Sequence, residues 1–307
     1  MAEKLQLNHP WLVAVWPGMG HVALNAGVYL LAKLGMTVVA EYESSDLFDI
    51  DHVEVKGGII QTPRRPRNRF FVWTDPNKKH DLVVFLGEAQ PPIGKYPFCR
   101  QLITFAKQLG VERVFTFAAM ATQMRLEAEP RVFAAATDAA NLEELKRLEL
   151  TVLENGNIGG LNGVLLGAAD EAGLPGSCLL GEMPHVFAQF PFPKASLAIL
   201  EAFTTITGID LDTTELQEQV EAAEQQLGEL LARVEEAYGR TEDDEEDEFE
   251  GEGYQTDAPP PPVEEEKGLR PSDRERIESL FERAEQDRSK AFELKRELDR
   301  LGVFKDY

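Results

Sequence analysis

Two apolar runs in this sequence close on the same triplet, Leu86-Gly-Glu88 and Leu180-Gly-Glu182, and proline follows each within a few residues. In an open α/β sheet the carboxyl ends of the strands border the ligand crevice. Two carboxylates placed there can share a proton or divide into acid and base. His185 stands three residues beyond Glu182, and His21 follows the turn Gly18-Met-Gly20. A second glycine-rich turn, with Gly159, Gly160 and Gly163, leads into an apolar helical stretch, and a helix start of that kind can hold an anion. Gly18, Gly20, His21, Glu88, Gly159, Gly160, Gly163, Glu182 and His185 are therefore the candidate crevice. A plainer role competes with chemistry. Glutamates beside turns cap backbone N–H groups or pair with arginine, and glycines let layers of backbone approach closely. No nucleophile is fixed beside either glutamate, so packing is the reading adopted and no catalytic residue is assigned.

Other chemistries lack their residues. The glycine turn after Asn155 has no Lys followed by Ser or Thr, as a phosphate loop requires. Neither a Gly-x-Ser-x-Gly elbow nor a His-Glu-x-x-His helix occurs. The five histidines show no metal-ligand spacing, and the Gly18-x-Gly20 pair lacks the third glycine of the dinucleotide fingerprint, so no metal or cofactor is expected. Arg64, Arg65, Arg67 and Arg69 cluster around Pro63 and Pro66. They read as an anion clamp or as a solvated hairpin loop; no acidic partner is identifiable in the sequence, which favours the loop. Cys99 and Cys178 sit in apolar surroundings and read as reduced core thiols.

Strand and helix signals alternate to about residue 208. Trp11 to Trp16, a buried helix to Leu34 and a strand from Thr37 to Glu41 form a βαβ unit. Short strands are expected at 52–56, 59–62 and 69–74, then an apolar strand at 81–86 and a helix at 96–109. A strand at 112–117 leads into a small-residue connection, Ala118 to Thr122. Further strands are expected at 131–135, 150–153 and 177–180. Helices follow Asp138, a good N-cap, and Pro193, well placed at a first turn. This alternation predicts a three-layer α/β sandwich with a largely parallel central sheet. Beyond it, Leu216, Val220, Ala223, Leu227, Leu230, Val234 and Ala237 recur at steps of three and four, which marks a coiled-coil seam or an amphipathic helix lying on the domain. The expected organisation is a core over 1–212, an amphipathic helix over 213–239, an acidic Pro-rich disordered linker over 240–270, and a second amphipathic helix with a tail over 271–307. In that tail, Leu294, Leu298, Leu301, Phe304 and Tyr307 are the candidate partner-binding residues.

The chain of 307 residues carries 54 acidic and 31 basic side chains. Thirteen of the acids lie between Thr241 and Glu266, with no Lys or Arg among them. The remainder is only mildly acidic, which argues against attraction to nucleic acid phosphates. No signal-peptide-like segment opens the sequence and no run approaches bilayer-spanning length. A cytoplasmic protein without membrane or nucleic acid partners is expected.

Five short motifs in order carry a family resemblance: Pro17-Gly-Met-Gly20, Leu86-Gly-Glu-Ala-Gln-Pro-Pro92, Ile158-Gly-Gly-Leu-Asn-Gly-Val-Leu-Leu-Gly167, Cys178-Leu-Leu-Gly-Glu-Met-Pro184 and Phe192-Pro-Lys-Ala195. Over about Leu12 to Leu231 the chain resembles the proteasome assembly chaperone two family. The resemblance implies a nucleoside-phosphorylase-like architecture, homo-oligomers and action by binding other proteins rather than by catalysis. In chaperones of the family a carboxy-terminal hydrophobic-tyrosine-any tail docks on proteasome rings. This chain departs from that tail, with Tyr307 last and Asp306 before it. The competing reading is a phosphorylase-, hydrolase- or ligase-like enzyme acting on a small metabolite between Glu88 and Glu182.

Overall fold

A computed structural model describes residues 6–49, 52–148 and 150–246 of the chain. The sheet begins with β1 (Trp11–Val15), apolar along its length and buried on both faces, as an interior parallel strand must be. The helix α1 (Val22–Lys33) then crosses one face to β2 (Thr37–Tyr42). A small ribbon of β3 (Glu54–Lys56) and β4 (Ile59–Gln61) precedes β5 (Asn68–Trp73) and the fully buried β6 (Leu82–Gly87). Next come α2 (Lys95–Gln108), β7 (Arg113–Thr122), β8 (Val132–Ala136), α3 (Ala139–Arg147) and β9 (Thr151–Val152). The chain closes through α4 (Gly160–Glu171), β10 (Gly176–Pro184), α5 (Pro193–Thr207) and α6 (Thr214–Glu246).

Eight strands form one sheet in the order β2-β5-β6-β1-β7-β10-β8-β9. Its centre, β6-β1-β7-β10, is parallel, while β5 runs against both β6 and β2, and β8 runs against β10. Leu12, Ala14, Phe85 and Cys178 face α2 and α4 on one side, and Val13, Val15, Leu179 and Met183 face α1 and α5 on the other. Helices thus cover both faces, giving the three layers expected.

Four details differ from the sequence expectations. The strand–helix–strand unit expected over Trp11 to Glu41 is present, but its strands are not adjacent: β2 lies at the sheet edge, with β5 and β6 between it and β1. Ala118 to Thr122 is not a connection but the second half of β7, held because Ala118 to Thr122 pair in register with Leu180 to Pro184. For the same reason β10 runs on to Pro184, so Glu182 sits inside a strand rather than at its end. The helix expected over 213–239 continues to Glu246, into the acidic stretch assigned to the linker. Its apolar stripe packs on the domain: Leu216, Val220 and Leu227 are buried, and Leu216 and Leu227 join the core beneath α5. Residues 247–307, with the rest of the linker and the candidate tail, lie outside the described residues.

Close backbone approach explains the glycines of α4. A Cβ on Gly163 would collide with the Ile158 carbonyl oxygen, whereas one on Gly167, exposed on the same helix, would meet nothing within 4 Å. Gly163→Ala should therefore destabilise the fold by about 2 kcal/mol through overpacking. Gly167→Ala should stabilise it by roughly 0.5–1 kcal/mol by restricting the unfolded chain. Urea unfolding of the two variants against the wild-type chain reads both signs, and equal effects would show that Gly163 is not a packing position.

Candidate functional site

Glu88 follows the last residue of β6 and is met by the arginine-rich loop that precedes β5. Arg64 Nη2 donates to its Oε2 at 2.5 Å, the Arg67 backbone N–H to the same oxygen at 3.0 Å, and Arg69 Nη2 to Oε1 at 3.1 Å. Partial burial disfavours the charged carboxylate, but the Arg67 N–H and the Arg64 guanidinium outweigh it and hold Glu88 below the usual carboxylate range. The arginines thus have the acidic partner that sequence reading did not find. Register explains why: Arg69 lies opposite Leu86 in the β5–β6 ladder, and the loop before it returns over the end of β6.

Glu182 is 2% exposed. Arg131 grips it in a fork, Nε to Oε2 at 2.8 Å and Nη2 to Oε1 at 2.6 Å, while the Arg131 N–H donates at 3.1 Å and the Thr122 hydroxyl at 2.7 Å. The Arg131 guanidinium, supported by these donors and opposed by burial, lowers the Glu182 pKa to about 2. His185 Nδ1 lies 3.1 Å from the Thr122 carbonyl oxygen, so His185, Thr122, Glu182 and Arg131 form one cluster. Glu88 belongs to another. Strands β1 and β7 separate β6 from β10, and three inter-strand spacings amount to about 14 Å. Across that gap the two carboxylates share no proton, and each is neutralised by its own arginines.

The glycine turns divide in the same way. Gly18, Gly159 and Gly160 line a crevice of about 460 Å³ at the carboxyl ends of β1 and β7, together with Gln90, Asn162 and Ala118 to Ala121. Glu88, Glu182 and His185 are not part of that lining, which contains no titratable side chain. Gly20 and His21 instead border a groove between α1 and α6, and Gly163 faces a third depression beside β8. Gly20 has a positive φ of 60°, and a Cβ there would come within 2.7 Å of Met183 Sδ. Its N–H donates to the Ala188 carbonyl and its own carbonyl accepts from Phe192. His21, at φ 52°, precedes α1 without capping it through its side chain.

Two residues that sequence reading left unassigned hold the site together. Gln90 donates from Nε2 to the Pro17 carbonyl at 3.0 Å and accepts from the Leu161 N–H at 3.1 Å. One amide therefore ties the first glycine turn to the start of α4 and occupies the helix terminus where an anion would bind. Lys194, 8% exposed, reaches Glu224 at 2.7 Å and Glu129 at 3.3 Å, which fastens α6 to the first turn of α5. Both stand inside short motifs of the sequence, the only signal that could have singled them out. Cys99 and Cys178 are free and buried, and burial pushes both thiols up to about 12. Among the described residues no group of His, Cys, Asp and Glu could hold a metal ion, and no helix is long and apolar enough to cross a membrane.

The turns and motifs that meet in these contacts lie within residues 12–231, the span matched by the model of the PAC2 family. The chain belongs to the PAC2 family. An uncharacterised protein of Methanocaldococcus jannaschii is 27% identical over 222 residues, 71% of this chain and 82% of that protein. Among solved structures, PbaB of Pyrococcus furiosus, an archaeal proteasome activator, is 28% identical with a TM-score of 0.64, covering 76% of this chain and 96% of its own. A proteasome-assembly chaperone homologue of Mycobacterium tuberculosis shares the fold, at 23% identity and a TM-score of 0.62 over 71% of this chain and 94% of that one. The PAC2 motifs thus map onto turns and strands that pack against one another.

Glu182 carries a pH signature. Its folded pKa of about 2 lies below the ordinary 4.5, so the pair stabilises the fold fully above pH 5 and is lost as pH falls toward 2. The shift is worth at most about 3 kcal/mol. Glu182→Gln should lose about 2 kcal/mol at pH 7 and show a flatter decline than wild type between pH 5 and 2. Denaturant melts at several pH values test this, and parallel wild-type and variant curves would show the pair to be energetically silent.

Proposed function

We propose that this chain is a non-catalytic, protein-binding module of the assembly-chaperone kind, which self-associates and works in the cytoplasm on protein partners. One observation carries the reading: the crevice at the strand ends is lined by glycine, apolar and amide side chains, without a group able to give or take a proton. The two glutamates that would supply acid–base chemistry are held apart, each against arginine. In this reading the motifs pack the turns at the strand ends against one another, and partners bind elsewhere on the surface. The archaeal proteasome activator among its structural neighbours supports a protein as the partner. In this reading the stretch 271–307, with Leu294, Leu298, Leu301, Phe304 and Tyr307, is a tethered contact whose linker raises its local concentration at the partner.

The full chain, purified at moderate salt from its own cells, should carry a stoichiometric protein partner, and removing the last 35 residues should weaken that association. Truncation should leave the thermal unfolding of the remainder unchanged. A chain that carries no partner but turns over a phosphorolysis or hydrolysis substrate, with turnover abolished in Glu182→Gln, would replace this reading with the enzyme.

A further inference from the structure

Strand β7 outruns its neighbour. Its ladder with β1 ends at the pair Ala14–Thr116, whereas its ladder with β10 continues without a break to Thr122. The Val114 N–H donates toward β10, to the Pro175 carbonyl. Main-chain direction alternates along a strand, so the even residues of β7 turn their N–H and C=O groups to β10 and the odd ones to β1. Ala119 and Ala121 are odd and lie past the end of the β1 ladder. Their main chain therefore points to a side where no strand of the described residues pairs with it. Both residues line the crevice of about 460 Å³ at the strand ends.

Asn162, in the first turn of α4, lines the same crevice and is 8% exposed. Its Oδ1 is buried, and no donor of the described residues reaches it. A buried acceptor without a donor is costly. Gln90, also in the lining, has both ends of its amide engaged by Pro17 and Leu161, so it offers Asn162 nothing. Two glycines keep the crevice open. Gly18, with φ −163°, and Gly159, with φ −78°, have backbones that any residue adopts, and a Cβ on either would meet nothing within 4 Å. Neither conformation nor packing requires glycine at these two exposed positions, unlike Gly160 and Gly163.

We propose that this crevice binds a small uncharged molecule carrying an amide group, which pairs with the free main chain of Ala119 and Ala121 and donates an N–H to Asn162 Oδ1. The ligand class follows from the lining. A strand edge presents donor and acceptor in turn, and an amide answers with its own C=O and N–H. A charged ligand would meet no counter-charge, because no ionisable side chain lines the crevice, and an unpaired charge is expensive to bury. Met120, Ile158 and Leu180 supply apolar surface for the rest of the molecule. The volume falls within the roughly 300–1,000 Å³ of small-molecule sites. This site goes beyond the protein-binding role and does not depend on it.

Saturation-transfer NMR on the full chain tests the site with two amides, benzamide as a planar aromatic source and N-acetylalaninamide as an extended, peptide-like one. At least one should give a saturable signal, and the tighter of the two identifies the shape that the crevice takes. The same molecule with its amide nitrogens fully methylated, and so without an N–H, should bind at least about tenfold more weakly. Asn162→Leu should also weaken binding about tenfold, as loss of one hydrogen bond between uncharged groups does. Its thermal midpoint should not fall, because the change removes an unpaired acceptor and breaks no bond. Gly18→Leu/Gly159→Leu should unfold at the wild-type temperature and bind neither amide. Absence of a saturable signal from both amides, equal binding of the methylated probe, or wild-type affinity in Asn162→Leu would each overturn the site. Should Asn162→Leu fail to fold, the glycine variant decides, and retained binding there overturns the site as well. Partner capture by the full chain, read separately, bears on the protein-binding reading alone.

Discussion

A single side-chain amide fixes the geometry at the strand ends. Gln90 reaches the Pro17 carbonyl with one end and the Leu161 N–H with the other. The segments after β1 and β6 and the segment before α4 are thereby held as one surface. Each of those backbone groups lies at an element terminus, where no ladder or helical partner exists and an unsatisfied group is costly. The Gly159–Gly160 turn brings α4 up to that amide, and a Cβ on Gly160 would come within 2.8 Å of Gln90 Oε1. Side-chain bulk and the bridge are thus exclusive at this position.

The carboxylates follow the same logic on a larger scale. Charges of this kind are tolerated in partial burial only when paired and fully hydrogen-bonded. Glu182 receives four donated hydrogen bonds and Glu88 three. Their lowered pKa values record how completely the ionised forms are satisfied, which leaves little lone-pair capacity for a substrate. In both cases a backbone N–H joins the guanidinium groups. The loops that carry Arg67 and Arg131 are therefore positioned by the acid as much as they neutralise it.

Much of this architecture was legible in the residues. Period-two and continuous apolar runs located the buried central strands, and Asp138 and Pro193 marked helix starts where the structure has them, Asp138 accepting from the Asn141 N–H. The hidden parts were those decided across the sheet. Nothing local in Ala118 to Thr122 says strand; its partner Leu180 to Pro184 imposes it. The position of β2, separated from β1 by two strands, depends on which edge the later strands leave free. At the site, the Leu-Gly-Glu triplets drew attention to the right glutamates, but pairing with arginine came from residues 51 positions away for Glu182 and as few as 19 away for Glu88. Sequence spacing could raise both the acid–base role and the arginine-paired one. Only the fold separated them.

The attachment of α6 bears on how the molecule can be cut. Lys194 is sealed near the start of α5, and its shorter ion pair comes from Glu224, thirty residues later on the long helix. Its other partner, Glu129, is a largely exposed side chain. A fragment ending at the apparent close of the α/β alternation would lose one of the two carboxylates that neutralise this ammonium group, and the closer one. The smallest piece of this fold that keeps the pair thus includes about the first three turns of α6. A gene fusion or natural truncation upstream of Glu224 would have to supply a new anion at that spot or replace the lysine.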